Sequence, residues 1–139
     1  MDTSVALKFA WHEPPHSDAA SRFFDAADRK WTQLMAPGFW LTECANGCWK
    51  RVQRQRNTPE EAATALAIIG ALPVGRIDTT DLADAVLGIA LQNRLTAYDA
   101  LYVATAQFAD VPLVTADTRL MQALSDAHWL GRALHISQW

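Results

Sequence analysis

Leu95-Thr96-Ala97-Tyr98-Asp99-Ala100-Leu101-Tyr102-Val103-Ala104-Thr105-Ala106-Gln107-Phe108-Ala109-Asp110-Val111-Pro112-Leu113-Val114-Thr115-Ala116-Asp117 sets two acids in different structural settings. From Thr96 onward, Ala97, Ala100, Leu101, Ala104 and Phe108 keep a helical period that predicts one face in a core, with Asp99 in the first turn. The run Val111 to Thr115 is too short for a helix and is apolar and β-branched, so it predicts a buried strand with Pro112 at its start. Asp117 follows at that strand's C-terminal end, and Arg119 to Leu124 opens another helix. In an open parallel sheet, ligands settle beyond the C-terminal ends of the strands. Both acids are therefore candidates for such a crevice. Each also fits a plain role as a helix cap, at about 0.5–2 kcal/mol.

The pattern outward from this stretch alternates helices with short strands. Ser17 to Leu34 carries Ala20, Phe23, Phe24, Ala27, Trp31 and Leu34 at helical spacing, with Ser17 and Asp18 as a cap. Ala36-Pro37-Gly38 is expected to break the chain. Phe39 to Gln55 resumes as helix, with Glu43 near its first turn. Thr58-Pro59-Glu60-Glu61 starts the next helix, because a Thr cap, a first-position Pro and two early acids agree. It is expected to end near Leu72. A turn and short strand follow through Asp78, then a helix from Thr80 to Gln92 with Leu82, Ala85, Val86, Ile89 and Ala90 on its inner face. The segment Trp129 to Ile136 is read as a last edge strand. Such alternation predicts an α/β domain with a parallel sheet.

Composition narrows the class. At 139 residues the chain is long enough for one domain that buries roughly two-thirds of its unfolded surface. Half of it is hydrophobic and 19% is charged, which excludes a disordered protein. No apolar run approaches the ~20 residues of a membrane span and no signal-peptide pattern opens the chain, so a cytoplasmic protein is expected. Cys44 and Cys48 read as buried reduced thiols, and His12, His16, His128 and His135 show no ligand spacing. A net charge of -3 argues against nucleic-acid binding by bulk electrostatics, though a local basic patch is compatible with it.

Asp2, Glu43, Asp99 and Asp117 each stand at or near the start of a helix, and a parallel sheet would gather them at one edge. Carboxylates so placed repel by roughly 4 kcal/mol per pair at about 4 Å and an effective dielectric of about 20. Protonation or divalent cations relieve this, and all-oxygen ligands select Mg²⁺ or Mn²⁺. Such ions activate water and neutralise charge on a phosphate, which points to phosphodiesterase or nuclease chemistry.

The segments Asp2-Thr3-Ser4-Val5-Ala6-Leu7-Lys8, Ala36-Pro37 with Glu43-Cys44-Ala45-Asn46, Leu95 to Tyr102 and Leu113 to Asp117 together resemble the PIN-domain ribonucleases, in particular the VapC-type toxins of bacterial toxin–antitoxin pairs. The resemblance covers nearly the whole chain, and it implies that residues 1–139 form a single PIN domain. It implies a three-layer, Rossmann-like α/β fold with a central parallel sheet between helices. It also implies an endoribonuclease in which Asp2, Glu43, Asp99 and Asp117 are catalytic and bind Mg²⁺ or Mn²⁺, while Ser4 and Thr115 orient the carboxylates or the metal-bound water. RNA as substrate, a cognate antitoxin and a homodimer come with it, and no membrane. The family's first acid ends a central strand, whereas only Met1 precedes Asp2 here. The first strand is therefore expected to be truncated, and the chain as given to begin late.

Lys50, Arg51, Arg54 and Arg56 cluster at the end of the Glu43 helix, where they either meet the helix dipole or lead RNA to the acids. Trp11, Trp31, Trp40 and Trp49 are core residues or, as the resemblance implies, a dimer contact or antitoxin groove. Two other readings stay open: a catalytically impaired PIN-fold domain that only binds partners, and a phosphatase or phosphoacceptor, which lacks the Asp-x-Asp pair and Lys expected of one.

Overall fold

The computed structural model describes residues 1–29, 32–125, 129 and 131–139. Trp31 and His128 lie outside the described residues. Helix α1 spans Thr3–Ala10 and α2 Ser17–Asp28, followed by strand β1, Leu34–Pro37. Next come α3, Trp40–Gln53, and α4, Pro59–Gly70, then β2, Val74–Ile77. A 3₁₀ turn at Thr80–Leu82 leads into α5, Ala83–Asn93, and then α6, Ala97–Phe108. Strand β3, Leu113–Thr115, α7, Thr118–Ala123, and β4, Ala133–His135, complete the order before a last 3₁₀ turn.

Local chemistry accounts for most boundaries. Thr58 accepts from the Glu61 N–H while the Glu61 carboxylate accepts from the Thr58 N–H, so α4 opens on the capping box its sequence predicts. Thr96 caps α6 and Asp117 caps α7 in the same spirit. On α2, Phe23 and Phe24 are each 3% exposed, and burying each contributes about 1.5–3 kcal/mol. Cys44 and Cys48 are buried free thiols, and burial pushes Cys44 up to about 12.

Several expectations are corrected. The helix expected from Ser17 to Leu34 stops at Asp28, and Leu34 to Pro37 forms β1 where a break is expected. Leu34 and Ala36 are buried on alternate positions, a strand's period; Leu34 also happens to continue the spacing of α2. On α6 the buried side is Ala100, Tyr102, Val103, Ala104, Thr105 and Ala106, while Ala97 is exposed and Phe108 is 68% exposed. The small residues let the helix sit deep, and both ends project beyond the packed layer. Ala85 on α5 is exposed, and Ile89 is that helix's buried residue. Trp40 is fully buried and belongs to the core, whereas Trp49 stands 57% exposed.

The parallel sheet is built as two pairs. β1 runs parallel to β2 from Leu34↔Val74 to Pro37↔Ile77, and β3 runs parallel to β4 from Leu113↔Ala133 to Thr115↔His135. Met1 and Asp2 span the gap between the pairs: the Met1 ammonium donates to the Met35 carbonyl at 2.8 Å and the Asp2 N–H to the Val114 carbonyl at 3.0 Å. Burial lowers the Met1 ammonium to about 6, against the opposing pull of the Asp2 charge. Helix α1 packs on α2, α3, α4 and β3, and α6 packs on α5, β1 and β3, so both helices rest on β3, the strand that leads to Asp117.

Candidate active site

Asp2, Glu43, Asp99 and Asp117, spread widely along the sequence, line one open pocket of about 330 Å³. Lys50, Arg51, Arg54 and Arg56 line it too, along with Asn46 and Gly47. The stripe Glu43, Asn46, Gly47 and Lys50 follows one face of α3 by helical spacing and continues to Arg54 at its C-cap, so that single helix presents acid at one end and base at the other. A Cβ on Gly47 would lie 2.6 Å from Leu7 Cδ1, so a larger residue there would make the Leu7 side chain shift.

Each acid is held in its own way. Asp2 is the most buried, at 6% exposure, and caps α1. Its Oδ1 accepts from the Ser4 N–H at 2.9 Å and the Ser4 hydroxyl at 2.5 Å, and its Oδ2 accepts from the Thr115 hydroxyl. Ser4 Oγ accepts in turn from the Ala116 N–H at 2.7 Å, and Thr115 Oγ1 from the Asp117 N–H at 2.9 Å. Burial pushes the Asp2 carboxyl above its usual range, and the Ser4 and Thr115 hydrogen bonds oppose that rise.

Glu43 is half-buried, and its Oε2 accepts from Thr3 Oγ1 at 3.0 Å and from the Tyr102 hydroxyl. The Thr3 and Tyr102 hydroxyls are themselves 2.8 Å apart. Burial first, and the neighbouring Glu43 second, raise the Tyr102 phenol far above its ordinary range, so it remains a donor. Asp99 Oδ2 accepts from Thr96 Oγ1 at 2.8 Å, and Asp117 Oδ1 accepts from the N–H groups of Arg119 and Leu120 at 2.8 and 3.3 Å. Among the described residues, no protein donor meets Glu43 Oε1, Asp99 Oδ1 or Asp117 Oδ2. Three carboxylates therefore keep one oxygen each for a ligand.

That donor set suits a hard divalent cation, since every available atom is oxygen. Among the described residues no three acids, histidines or cysteines converge tightly enough to grip one ion directly. Mg²⁺ usually keeps several waters and takes one or two carboxylates, so a hydrated ion suits the looser spacing. The residues fit such a group.

The basic residues divide. Arg51 is committed inside the protein: it donates to Glu13 Oε2 at 3.0 Å and Asn57 Oδ1 at 2.7 Å, and lies 4.6 Å over the Trp11 ring. Lys50 and Arg54 are exposed at the pocket and form no ion pair among the described residues. Spacing along the chain does not single out Thr3 and Tyr102 as partners of an acid. A signal exists nonetheless: one lies next to Asp2 and the other three positions after Asp99, within the segments that carry the family resemblance.

Residues 1–125 match the PIN domain family. The chain is 35% identical over 120 residues to the VapC ribonuclease Mb0985 of Mycobacterium bovis and to ribonuclease VapC9 of Mycobacterium tuberculosis, spanning 86% of this chain and 86% of each relative. The crystal structure of PAE2754 from Pyrobaculum aerophilum matches with a TM-score of 0.67 over 99% of this chain and 87% of that chain, at 21% identity, and shares the fold. The chain belongs to the PIN-domain family.

Proposed function

We propose that this PIN domain is a metal-dependent endoribonuclease that cleaves RNA phosphodiester bonds, the toxin of a VapC-type toxin–antitoxin pair silenced by its antitoxin. The observation that carries it is the pocket shared by Asp2, Glu43, Asp99 and Asp117, three of them with a carboxylate oxygen left open. The relatives named as ribonucleases support the substrate class.

Asp2, Glu43, Asp99 and Asp117 would hold Mg²⁺ or Mn²⁺, which supplies Lewis acidity toward a phosphate oxygen and a water ionised near neutral pH. Ser4 and Thr115 fix both oxygens of Asp2, and the caps of α6 and α7 fix Asp99 and Asp117, so the carboxylates are oriented before substrate arrives. Lys50 and Arg54 meet the flanking RNA phosphates, which a net acidic protein needs. A homodimer in the cytoplasm belongs to the same reading. Among the described residues no helix is long and apolar enough to cross a membrane.

The test is RNA cleavage by purified protein with Mn²⁺. Asp99→Asn and Asp117→Asn abolish cleavage and growth arrest while thermal unfolding stays as in the unaltered chain; cleavage retained by either purified variant overturns the assignment. A catalytically impaired partner-binding domain is the second reading, favoured by the finding that among the described residues no three acids, histidines or cysteines converge closely enough to grip one ion directly. Calorimetric titration with Mn²⁺ separates them, because an impaired site takes up little or no metal.

A further inference from the structure

The four acids of the pocket are not held alike. Asp99 and Asp117 are fixed by donors within three residues of themselves, Thr96 for one and the Arg119 and Leu120 amides for the other. Glu43 is fixed from outside its own helix. Its partners are Thr3 on α1, 40 positions away, and Tyr102 on α6, 59 positions away. Both meet the same oxygen, Oε2, and the two hydroxyls touch each other at 2.8 Å.

Proton counting sharpens the arrangement. Three oxygen–oxygen contacts share only two hydroxyl hydrogens, and with Glu43 ionised both are used by the bonds to Oε2, which leaves the Thr3–Tyr102 contact without a hydrogen of its own. Two donors on one carboxylate oxygen stop the side chain from rotating that oxygen toward the pocket. Oε1 is left as the single oxygen that Glu43 offers. Tyr102 is 3% exposed and Thr3 8%, so both hydroxyls are held by the protein around them while Glu43 itself is half-buried.

We infer that Thr3 and Tyr102 are positioning residues that clamp Glu43 Oε2 and oblige Glu43 to bind a divalent cation through Oε1 alone. The inference rests on the reading of the acids as a metal site. The clamp also ties α1, α3 and α6 together at the pocket, so the geometry of the site depends on three helices docking rather than on one helix turn. Removing a group that orients a metal-binding carboxylate typically costs 10–100-fold in metal affinity.

The experiment is Mn²⁺ titration of the full chain by calorimetry, with thermal unfolding of every variant recorded beside it. Tyr102→Phe is expected to weaken Mn²⁺ about 10-fold or more, and Thr3→Val likewise, while Thr3→Ser, which keeps the hydroxyl, restores affinity. Packing loss alone would not distinguish Val from Ser in that way. Affinity unchanged in a folded Tyr102→Phe or Thr3→Val variant, beside a clear loss in Glu43→Gln, overturns the clamp and leaves the metal site standing. Affinity unchanged in Glu43→Gln and Asp99→Asn overturns the metal site, and the clamp with it. Should Tyr102→Phe fail to fold, the contrast between Val and Ser at Thr3 decides at the same oxygen.

Discussion

The hydroxyl of Thr115, the last residue of β3, donates to Oδ2 of Asp2, a residue 113 positions away at the head of α1. Asp2 takes its place from this bond, from its cap on α1 and from its N–H on Val114. Replacing Thr115 by Val leaves that buried carboxylate short of a donor. A loss of about 1–3 kcal/mol in unfolding free energy is expected, with Thr115→Ser close to the unaltered chain, as read by urea denaturation. A Val variant as stable as the parent would show that Asp2 does not depend on the bond.

Asp117 does two jobs that substitution can separate. As the cap of α7 it offers Oδ1 to two backbone amides, and Asn keeps an oxygen that can do the same. Asp117→Asn should keep the melting temperature and lose cleavage. Asp117→Ala should lose cleavage and also roughly 1 kcal/mol of stability. Equal melting of the two variants would remove the cap from the account.

The basic end of α3 should divide in the same way. Lys50→Ala and Arg54→Ala are expected to weaken RNA binding by a cleavage-dead protein and to flatten its dependence on salt, by about 0.7 in log–log slope for each phosphate of a single strand left unneutralised. Arg51→Ala removes an ion pair and a ring contact, so its main effect is a stability loss of about 0.5–1 kcal/mol. Arg51 changing the slope as much as Lys50 would place it among the groups that bind RNA.

The capping box of α4 gives a pH dependence. The Thr58 N–H, and then the Asn57 amide, hold the Glu61 carboxylate below its usual range. A group whose folded pKa is depressed contributes stability above its unfolded pKa and loses it as pH falls through the folded one. The stability advantage over Glu61→Gln should therefore be full at neutral pH and shrink on acidification to about pH 3. Thermal melts of both proteins across that range check it; an advantage that grows on acidification contradicts the assignment.

Much of the fold is legible in the sequence because its signals are local. The Thr58-Pro59-Glu60-Glu61 start, the cap at Asp117 and the short run before it each depend on neighbours within one turn, whereas α6 is capped by Thr96 and not by Asp99. Strand β1 escapes a reading by periodicity because Leu34 extends the helical spacing of α2, and only pairing with Val74 to Ile77 makes the segment a strand. The inner face of α6 departs from its apolar stripe at Ala97 and Phe108, since periodicity finds the stripe but not where the packed layer ends.

The sequence by itself determined which acids stand at helix starts, and that a helix with Glu43 at one end carries Lys50 and Arg54 at the other. Those are properties of spacing along one chain segment. Only the tertiary structure decided that Thr115 holds Asp2, that Thr3 and Tyr102 hold Glu43, and that Arg51 belongs to Glu13 and Trp11. Hydroxyls and guanidinium groups take whichever acceptor the packing of distant helices brings within about 3 Å, and one-dimensional spacing carries no record of that packing.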